Sequence, residues 1–273
     1  MRNALINRDN GRDLLFDYFP SNLKSAPIIV FCHGFKGYKD WGNWNEMGLY
    51  FQRKGFHFLK FNFSLNGGTI ENPIDFPDLE AFAQNTYSQE LNDLNDVINY
   101  VNGELSELNG CSFEKLFLIG HSRGGAIATL KTAEDDRVDK LVTMAAPANL
   151  EVRFENYNLE EWQSIGRVYI KNGRTKQMMP LNFAFYKDFL NNRERLDIPS
   201  RATSISIPTF ILHANDDPVV SLENAEHLNS WIKDSRIYIS AEGGHTFNMQ
   251  HPSSEMPQTF LKILDVIQEF LDF

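Results

Sequence analysis

The chain has 273 residues, enough to bury a large core, and its 42% hydrophobic and 23% charged residues are typical of a soluble globular protein. A net charge of −10 disfavours nucleic acid and anionic membrane surfaces as partners, and favours neutral small-molecule substrates. The longest apolar run, residues 28–32, is too short to span a bilayer, and the first residues do not resemble a secretory signal, so a cytoplasmic protein is expected.

Short apolar runs alternate with helical patterns along the chain. In chain order, we predict strands at 14–19 and 27–32, a helix at 44–54, a strand at 56–63, a loop at 64–84, a helix at 86–105, a strand at 115–120, a helix at 123–133, strands at 140–146, 207–213 and 236–240, and a helix at 258–271. This alternation predicts an α/β fold in which helices cover both faces of a mostly parallel central sheet.

Residues 147–205 interrupt the alternation with an aromatic-rich segment, which we interpret as a cap inserted into a single domain spanning 1–273. Within the segment, residues 168–175 indicate a strand, an Asn-Gly turn and a returning strand. Three aromatic side chains are candidates to line an apolar substrate pocket, with packing of the cap onto the sheet as the alternative: Trp162, Phe183 and Tyr186. Three arginines are candidates to meet an anionic substrate group, against a default of surface solvation: Arg153, Arg167 and Arg174.

The sequence Gly120-His121-Ser122-Arg123-Gly124 matches the pattern G-x-S-x-G, after an apolar strand and before a helix of small residues. A nucleophile elbow needs this strand–turn–helix context, because the turn exposes the serine while the glycines leave room for neighbouring backbone. Ser122 is therefore the candidate nucleophile. The alternative is a serine in an ordinary turn between a strand and a helix.

A serine hydroxyl is a weak nucleophile, so it needs a base and a carboxylate that orients the base. Asp216 and Asp217 both follow the strand at 207–213. The turn at the carboxyl end of a strand is where such a carboxylate is expected. We favour Asp217 over Asp216, because Pro218 fixes the turn directly after it.

The candidate base is His245, which follows two glycines after the strand at 236–240. The glycines allow this loop to approach the elbow closely. His251 and His227 are the rival histidines, and we interpret them as surface or structural residues.

Backbone amides must stabilise the oxyanion of a tetrahedral intermediate. One is expected from Arg123, the residue after the nucleophile, and the other from Phe35, since Gly34 allows the chain to turn after the strand at 27–32.

The two cysteines, Cys32 and Cys111, are too few for a disulfide framework, and Cys32 ends an apolar run that predicts a buried thiol. The sequence shows no CxxC pattern and no clustered cysteines and histidines. No metal and no cofactor are expected.

Taken in this order, four motifs resemble the α/β-hydrolase superfamily: His33-Gly34-Phe35, Gly120–Gly124, His213–Pro218 and Gly244-His245. Within it, the chain is most similar to small capped carboxylesterases of the cinnamoyl- and feruloyl-esterase type. It also resembles dienelactone-hydrolase-like proteins and the catalytic domain of prolyl-oligopeptidase-type peptidases. The resemblance implies roles for five residues: Ser122 as nucleophile, Asp217 as acid, His245 as base, and Phe35 and Arg123 as oxyanion donors.

The function we expect from these residues is that of a serine carboxylesterase acting on small-molecule esters through an acyl-enzyme. An aminopeptidase or acyl-peptide hydrolase is the first alternative, and Glu160-Glu161 is its candidate for binding a peptide terminus. The second alternative is a non-catalytic protein of the same fold that binds a ligand. The sequence leaves the oligomeric state open, a homo-oligomer included.

Overall fold

A computed structural model describes residues 1–9, 11–110, 112–253 and 255–272 of the chain, so Cys111 lies outside the described residues. The strands are β1 (Ala4–Ile6), β2 (Leu14–Phe19), β3 (Ile28–Cys32), β4 (His57–Phe61), β5 (Leu116–His121), β6 (Lys140–Met144), β7 (Arg167–Lys171), β8 (Met178–Asn182), β9 (Thr209–Ala214) and β10 (Ser235–Ser240). The helices are α1 (Trp44–Arg53), α2 (Leu79–Gln84), α3 (Tyr87–Tyr100), α4 (Ser106–Asn109), α5 (Arg123–Thr132), α6 (Leu159–Ile165), α7 (Ala184–Asn191), α8 (Arg193–Leu196), α9 (Ile198–Ala202), α10 (Glu223–Trp231) and α11 (Gln258–Asp272). A π-helical turn, Val101–Leu105, joins α3 to α4.

One sheet contains most of these strands, in the order β1-β2-β4-β3-β5-β6-β9-β10, and β7 and β8 form a separate antiparallel hairpin. β1 and β2 run antiparallel to their neighbours, while each pair from β4 to β10 is parallel. The predicted α/β fold is confirmed. Because parallel strands end at the same edge, the residues after β3, β5, β6 and β9 meet there.

The core lies on both faces of the sheet, as β3 illustrates. Ile28, Val30 and Cys32 pack in one apolar cluster with side chains of α3 and α5. Ile29 and Phe31 point to the opposite face and pack with side chains of α1 and α11. Full burial of each such side chain stabilises the fold by about 1.5–3 kcal/mol, so a strand with two apolar faces belongs in the middle of the sheet. The predicted burial of Cys32 is confirmed.

Helix α2 lies where the sequence analysis predicts a loop. Asp78 caps this helix, since its side chain accepts a hydrogen bond from the Ala81 N–H at 2.9 Å, and Phe82 is buried. The loop prediction is therefore wrong over 79–84, because the glycines and prolines that indicated a loop all lie before the cap. Strand β1 was not predicted either, since its three residues are too few to show a pattern, and pairing with β2 defines it.

Between β6 and β9 the chain forms α6, the β7–β8 hairpin, α7, α8 and α9. The hairpin was predicted, but the two-residue Asn-Gly turn was wrong, since residues 172–177 connect its strands. The Asn172 side chain accepts hydrogen bonds from the N–H groups of Arg174 and Thr175, at 3.0 and 3.2 Å. These bonds favour a wider loop over a tight turn. Among the described residues, no helix has both the length and the apolar character needed to cross a bilayer.

Candidate active site

Ser122 occupies a strained turn between β5 and α5. Its backbone has φ 54° and ψ −127°, a conformation that a residue other than glycine rarely adopts. The Ser122 N–H donates to the Met144 carbonyl at 2.8 Å, which fixes the turn against the end of β6. Such a conformation costs about 1–3 kcal/mol and persists only where the surroundings enforce it, so it points to a functional position.

Two glycines of the G-x-S-x-G motif allow backbone segments to touch behind Ser122. A Cβ on Gly124 would lie 2.3 Å from the Cys32 carbonyl oxygen, and one on Gly120 would lie 2.3 Å from the Gly124 carbonyl oxygen. Any side chain at these positions would push α5 away from β3 and β5. The glycines therefore set how closely the first turn of α5, and with it Ser122, lies against the sheet.

The structure brings Ser122, His245 and Asp217 into one hydrogen-bonded row. His245 Nε2 lies 2.9 Å from Ser122 Oγ, and His245 Nδ1 lies 2.8 Å from Asp217 Oδ2. With Nδ1 protonated, the ring donates to Asp217 and leaves Nε2 free to accept the serine proton. The Asp217 carboxylate is completely buried, whereas 16% of the His245 side chain remains exposed.

Several hydrogen-bond donors surround the Asp217 carboxylate. Its Oδ1 accepts hydrogen bonds from the N–H groups of Val219 and Val220, at 2.8 and 3.0 Å, and His213 Nε2 lies 3.4 Å from Oδ2. Burial alone would raise the pKa of Asp217, but the hydrogen bonds from His213, His245 and Val220 outweigh it and lower the pKa well below its usual range. Asp217 is therefore ionised at neutral pH.

The loop that carries His245 is held from two sides. The carboxylate of Asp216 accepts hydrogen bonds from the N–H groups of Gly244 and Gly243, at 2.8 and 3.3 Å. On the other side, His121 Nε2–H donates to the His245 carbonyl at 2.8 Å. Burial lowers the pKa of His121 to about 3, so the ring is neutral at neutral pH, with its proton on Nε2. The role of His121 could not be predicted from the sequence, because it depends on the contact of β5 with a loop more than 120 residues away.

The rival histidines lie elsewhere. His227 is exposed on α10 and stacks on Trp231. His251 Nδ1 accepts a hydrogen bond from the Gly42 N–H at 3.0 Å, and its ring stacks on Trp41. Both engagements suit the surface and structural interpretation of the sequence.

A tight turn follows β3 and abuts the nucleophile. The Gly37 N–H donates to the Gly34 carbonyl at 3.0 Å, and a Cβ on Gly34 would lie 2.9 Å from the Ser122 Cβ. Phe35 is the next residue of this turn. Arg123 begins α5, where backbone N–H groups have no partner within the helix. Both predicted oxyanion donors thus belong to segments that contact or adjoin Ser122.

His33 fixes this turn from within. Its Nε2 accepts a hydrogen bond from the Phe63 N–H at 3.3 Å, so Nδ1 carries the proton and donates to the Gly34 carbonyl at 2.9 Å. Burial, with a smaller contribution from the Arg123 charge, lowers the pKa of His33 to about 4. The ring is therefore neutral and serves as a structural support.

The three aromatic residues predicted to bind substrate pack within the segment between β6 and β9. Trp162 is fully buried, and its indole N–H donates to the Leu181 carbonyl at 3.1 Å. The ring of Phe183 lies 5.7 Å from that of Trp162, and the ring of Tyr186 lies 5.0 Å from that of Phe154. These contacts show packing against one another, and the role of the three in substrate binding stays a prediction. Among the described residues, no cluster of His, Cys, Asp and Glu suits a metal ion.

Comparisons with known proteins agree with this architecture. Residues 27–165 match the model of a family described as alpha/beta hydrolase fold. Monoacylglycerol lipase ABHD6 of Mus musculus is 23% identical over 261 residues, covering 83% of this chain and 72% of that protein.

Two solved structures share the fold at low sequence identity. Est1E from Butyrivibrio proteoclasticus, with ferulic acid bound, is 16% identical with a TM-score of 0.71, covering 98% of this chain and 97% of that chain. A soluble variant of monoglyceride lipase from Saccharomyces cerevisiae is 15% identical with a TM-score of 0.70, covering 98% and 93%. The family match spans just over half of the chain and includes the turn after β3 and the Ser122 elbow. The chain therefore belongs to the α/β-hydrolase fold family.

Proposed function

We propose that the protein is a serine hydrolase that cleaves carboxylic esters of small molecules through an acyl-enzyme. The observation that carries this proposal is the row Ser122–His245–Asp217, with contacts of 2.9 and 2.8 Å and the serine in a strained turn. Relatives named as lipases support esters over other carbonyl substrates. Since fold alone does not decide chemistry, the choice of ester rests on this analogy.

In the proposed acylation step, Ser122 Oγ attacks the ester carbonyl carbon while His245 Nε2 takes the hydroxyl proton. Asp217 stabilises the imidazolium that forms, because its buried carboxylate is ionised and holds the Nδ1 proton. The tetrahedral intermediate then collapses, and His245 returns the proton to the departing alkoxide. The products of this step are the alcohol and an acyl ester on Ser122.

In deacylation, water replaces the alcohol. His245 Nε2 takes a proton from the water, whose oxygen attacks the acyl carbon, and the proton passes to Ser122 Oγ as the acid is released. In both tetrahedral intermediates we assign the oxyanion to the N–H groups of Phe35 and Arg123. Each preorganised donor of this kind is worth about 10²–10³ in rate.

We propose that the segment at 147–205 acts as a cap that selects the substrate. Side chains of the segment pack into the apolar cluster that also contains side chains of α3 and of α5, the helix that follows Ser122. An aromatic-rich cover suits an ester with an apolar or aryl part.

The peptidase alternative gains no support from the segment. Glu160 and Glu161 lie in the first turn of α6, and both are exposed to solvent. A carboxylate pair that binds a peptide terminus would be expected inside a pocket. Since the serine, histidine and aspartate are all in place, a purely ligand-binding role is not favoured either.

The test is labelling of the folded protein with a fluorophosphonate probe, together with turnover of 4-nitrophenyl butyrate. Ser122→Ala should abolish labelling and reduce kcat by at least about 10⁴-fold, because the nucleophile is lost. Ser230→Ala is a matched control, since Ser230 is an exposed serine on α10 whose hydroxyl donates to the His227 carbonyl of the same helix. Equal labelling of Ser122→Ala and wild type would contradict the proposal, as would a folded wild type that reacts with neither reagent.

A further inference from the structure

Three cationic side chains gather around the ring of Phe35, the residue to which we assign one oxyanion donor. The guanidinium carbon of Arg123 lies 3.9 Å from the ring centre, that of Arg153 lies 4.6 Å from it, and Lys36 Nζ lies 5.8 Å from it. We call Lys36, Arg123 and Arg153 the Phe35 cation cluster. It adjoins the reacting centre, because Arg123 follows Ser122 and Phe35 follows the glycine that abuts Ser122.

Arg153 differs in its partners from four of the five other arginines of the 147–205 segment, and the fifth, Arg201, donates to the Ala133 carbonyl at 3.0 Å. Those four have a carboxylate within ion-pair distance: Arg167 with Glu80, Arg174 with Asp75, Arg193 with Glu151 and Arg195 with Glu134. Among the described residues, Arg153 has no ion pair, and its Nε is buried without a hydrogen-bond partner. The side chain is only partly exposed, so solvent does not fully replace the missing partner.

In the part of the chain that the structure describes, Glu90 is the one carboxylate within ion-pair distance of the cluster. Glu90 Oε1 lies 3.4 Å from Arg123 Nη1, but it also accepts a shorter bond of 2.7 Å from Asn85. Burial raises the pKa of Glu90, against the attraction of Arg123. The phenol groups of Tyr87 and Tyr157 also interact with Arg153.

The cations also oppose one another. Burial lowers the pKa of Arg153 and of Lys36, and in both cases the Arg123 charge lowers it further. A guanidinium stays protonated in proteins, so the repulsion persists in the free protein. An anion bound among these groups would relieve it and would supply the missing partner of Arg153.

We propose that the Phe35 cation cluster binds a carboxylate carried by the substrate, so that the preferred substrates are esters of small molecules with a free carboxylate. The inference rests on the proposed function and gives it a substrate class. The expectation of neutral substrates came from the net charge of −10, which governs the long-range field. Of the residues that the structure describes, three cations lie around the Phe35 ring and one carboxylate, Glu90, lies within ion-pair distance of them, so the balance of charge at the cluster has the opposite sign.

A second role of the cluster, stabilisation of the oxyanion, must be distinguished by experiment from binding of a substrate carboxylate. Cations this close to the oxyanion donors could stabilise the oxyanion itself, in which case every ester would benefit equally. A carboxylate subsite instead changes the preference between an anionic ester and a neutral one of the same shape. The decisive quantity is therefore a ratio of kcat/KM values.

Two matched substrate pairs give this ratio for the two sides of the ester. For the acyl side, 4-nitrophenyl hemiglutarate is compared with 4-nitrophenyl valerate, and for the alcohol side, 4-acetoxybenzoate with 4-acetoxybenzamide. Ser122→Ala serves as the blank for spontaneous hydrolysis. In wild type we expect kcat/KM to favour the anionic member of at least one pair.

Arg153→Gln should lower that ratio by about 10- to 100-fold, the worth of a hydrogen bond to a charged group. Arg153→Lys should restore part of it, since the charge remains while the two-pronged donor is lost. Arg167→Gln is the matched control, because Arg167 lies in the same segment but pairs with Glu80, and it should leave the ratio unchanged. Thermal unfolding verifies that each variant is folded.

Three results would overturn the inference alone: wild type that favours the neutral member of both pairs, Arg153→Gln that slows both members equally, or Arg167→Gln that lowers the ratio as much. Should Arg153→Gln fail to fold, Arg153→Lys and the salt dependence of the wild-type ratio decide, since screening should reduce the preference for the anion. Folded wild type that hydrolyses none of the four esters would overturn the proposed function and this inference with it.

Discussion

Asp216 and Asp217 are adjacent in the chain, yet their carboxylates hold different parts of the same loop. Asp217 accepts a hydrogen bond from the His245 ring at 2.8 Å, whereas Asp216 accepts one from the Gly244 N–H at 2.8 Å. The ring and the backbone that carries it are thus positioned by neighbouring side chains. A change at either residue disturbs His245, but in different ways.

Replacing the two aspartates should separate these effects. Asp217→Asn should reduce kcat by about 10³–10⁴-fold, because an amide can donate to His245 and so favours the wrong tautomer. Asp216→Asn keeps an oxygen that can accept from Gly244, so we expect a loss of less than about tenfold. Steady-state kinetics with 4-nitrophenyl butyrate measure both. Equal losses in the two variants would contradict the assignment of Asp217 as the orienting acid.

A methyl group on Gly124 should damage both stability and activity. Its Cβ would lie 2.3 Å from the Cys32 carbonyl oxygen, and backbone cannot move aside as a flexible side chain can. We expect Gly124→Ala to lower the free energy of unfolding by at least about 3 kcal/mol. Gly103→Ala is the matched control, since nothing lies within 4 Å of that Cβ, and it should be neutral or stabilise by up to about 1 kcal/mol. Urea unfolding of both variants tests this, and a Gly124→Ala protein as stable as wild type would contradict it.

The stability provided by His121 should depend on pH. The pKa of this residue is about 3 in the folded chain and about 6.5 in an unfolded one. Between these values the unfolded chain binds the proton and the folded chain does not, so protonation destabilises the fold as the pH falls. The loss approaches about 1.4 kcal/mol per pH unit.

Comparison with His121→Gln isolates this effect. Glutamine can still donate to the His245 carbonyl, but it does not titrate. Lowering the pH from about 7 to about 5 should therefore reduce the unfolding free energy of wild type relative to that of His121→Gln. Urea unfolding at several pH values gives this difference, and a constant value would show that His121 titrates alike in both states.

A buried charge network supports the side of the sheet at β2 and β4. Asp17 Oδ2 lies 2.7 Å from Lys60 Nζ, and its Oδ1 lies 3.0 Å from Lys39 Nζ, with all three side chains almost completely buried. Asp17→Asn would leave buried cations with less compensation, so we expect a loss of about 3–5 kcal/mol. Arg12→Gln removes an exposed pair with Asp78 and should cost at most about 1 kcal/mol. Thermal and urea unfolding compare the two, and similar small losses would contradict the interpretation.

Much of the fold could be predicted because its signals are local. The two-faced apolar run of β3, and Ser122 between a strand and a helix of small residues, can be recognised within ten residues of sequence. Strand β1 and the loop at 172–177 could not be predicted in this way. The first depends on pairing with β2, and the second on side-chain hydrogen bonds from Asn172 that compete with an Asn-Gly turn.

The site shows the same division. Asp217 and His245 could be placed because each follows a strand whose end lies at the same sheet edge. The donor from His121 and the missing partner of Arg153 could not be predicted, since they depend on which distant side chains arrive beside them. The sequence does not distinguish among the three candidate arginines. In the structure Arg167 and Arg174 pair with carboxylates, and this pairing distinguishes them from Arg153.

Ser122 and His245 are 123 residues apart in the chain, and their contact requires β9 and β10 to have docked beside β6. Under the proposed function, reactivity toward a serine-directed reagent would therefore report completed tertiary assembly. During refolding, helical signal in circular dichroism can recover before the last two strands are in place. Labelling of Ser122 by the reagent should recover only when the last two strands dock. The time course of labelling would then measure the final step of folding.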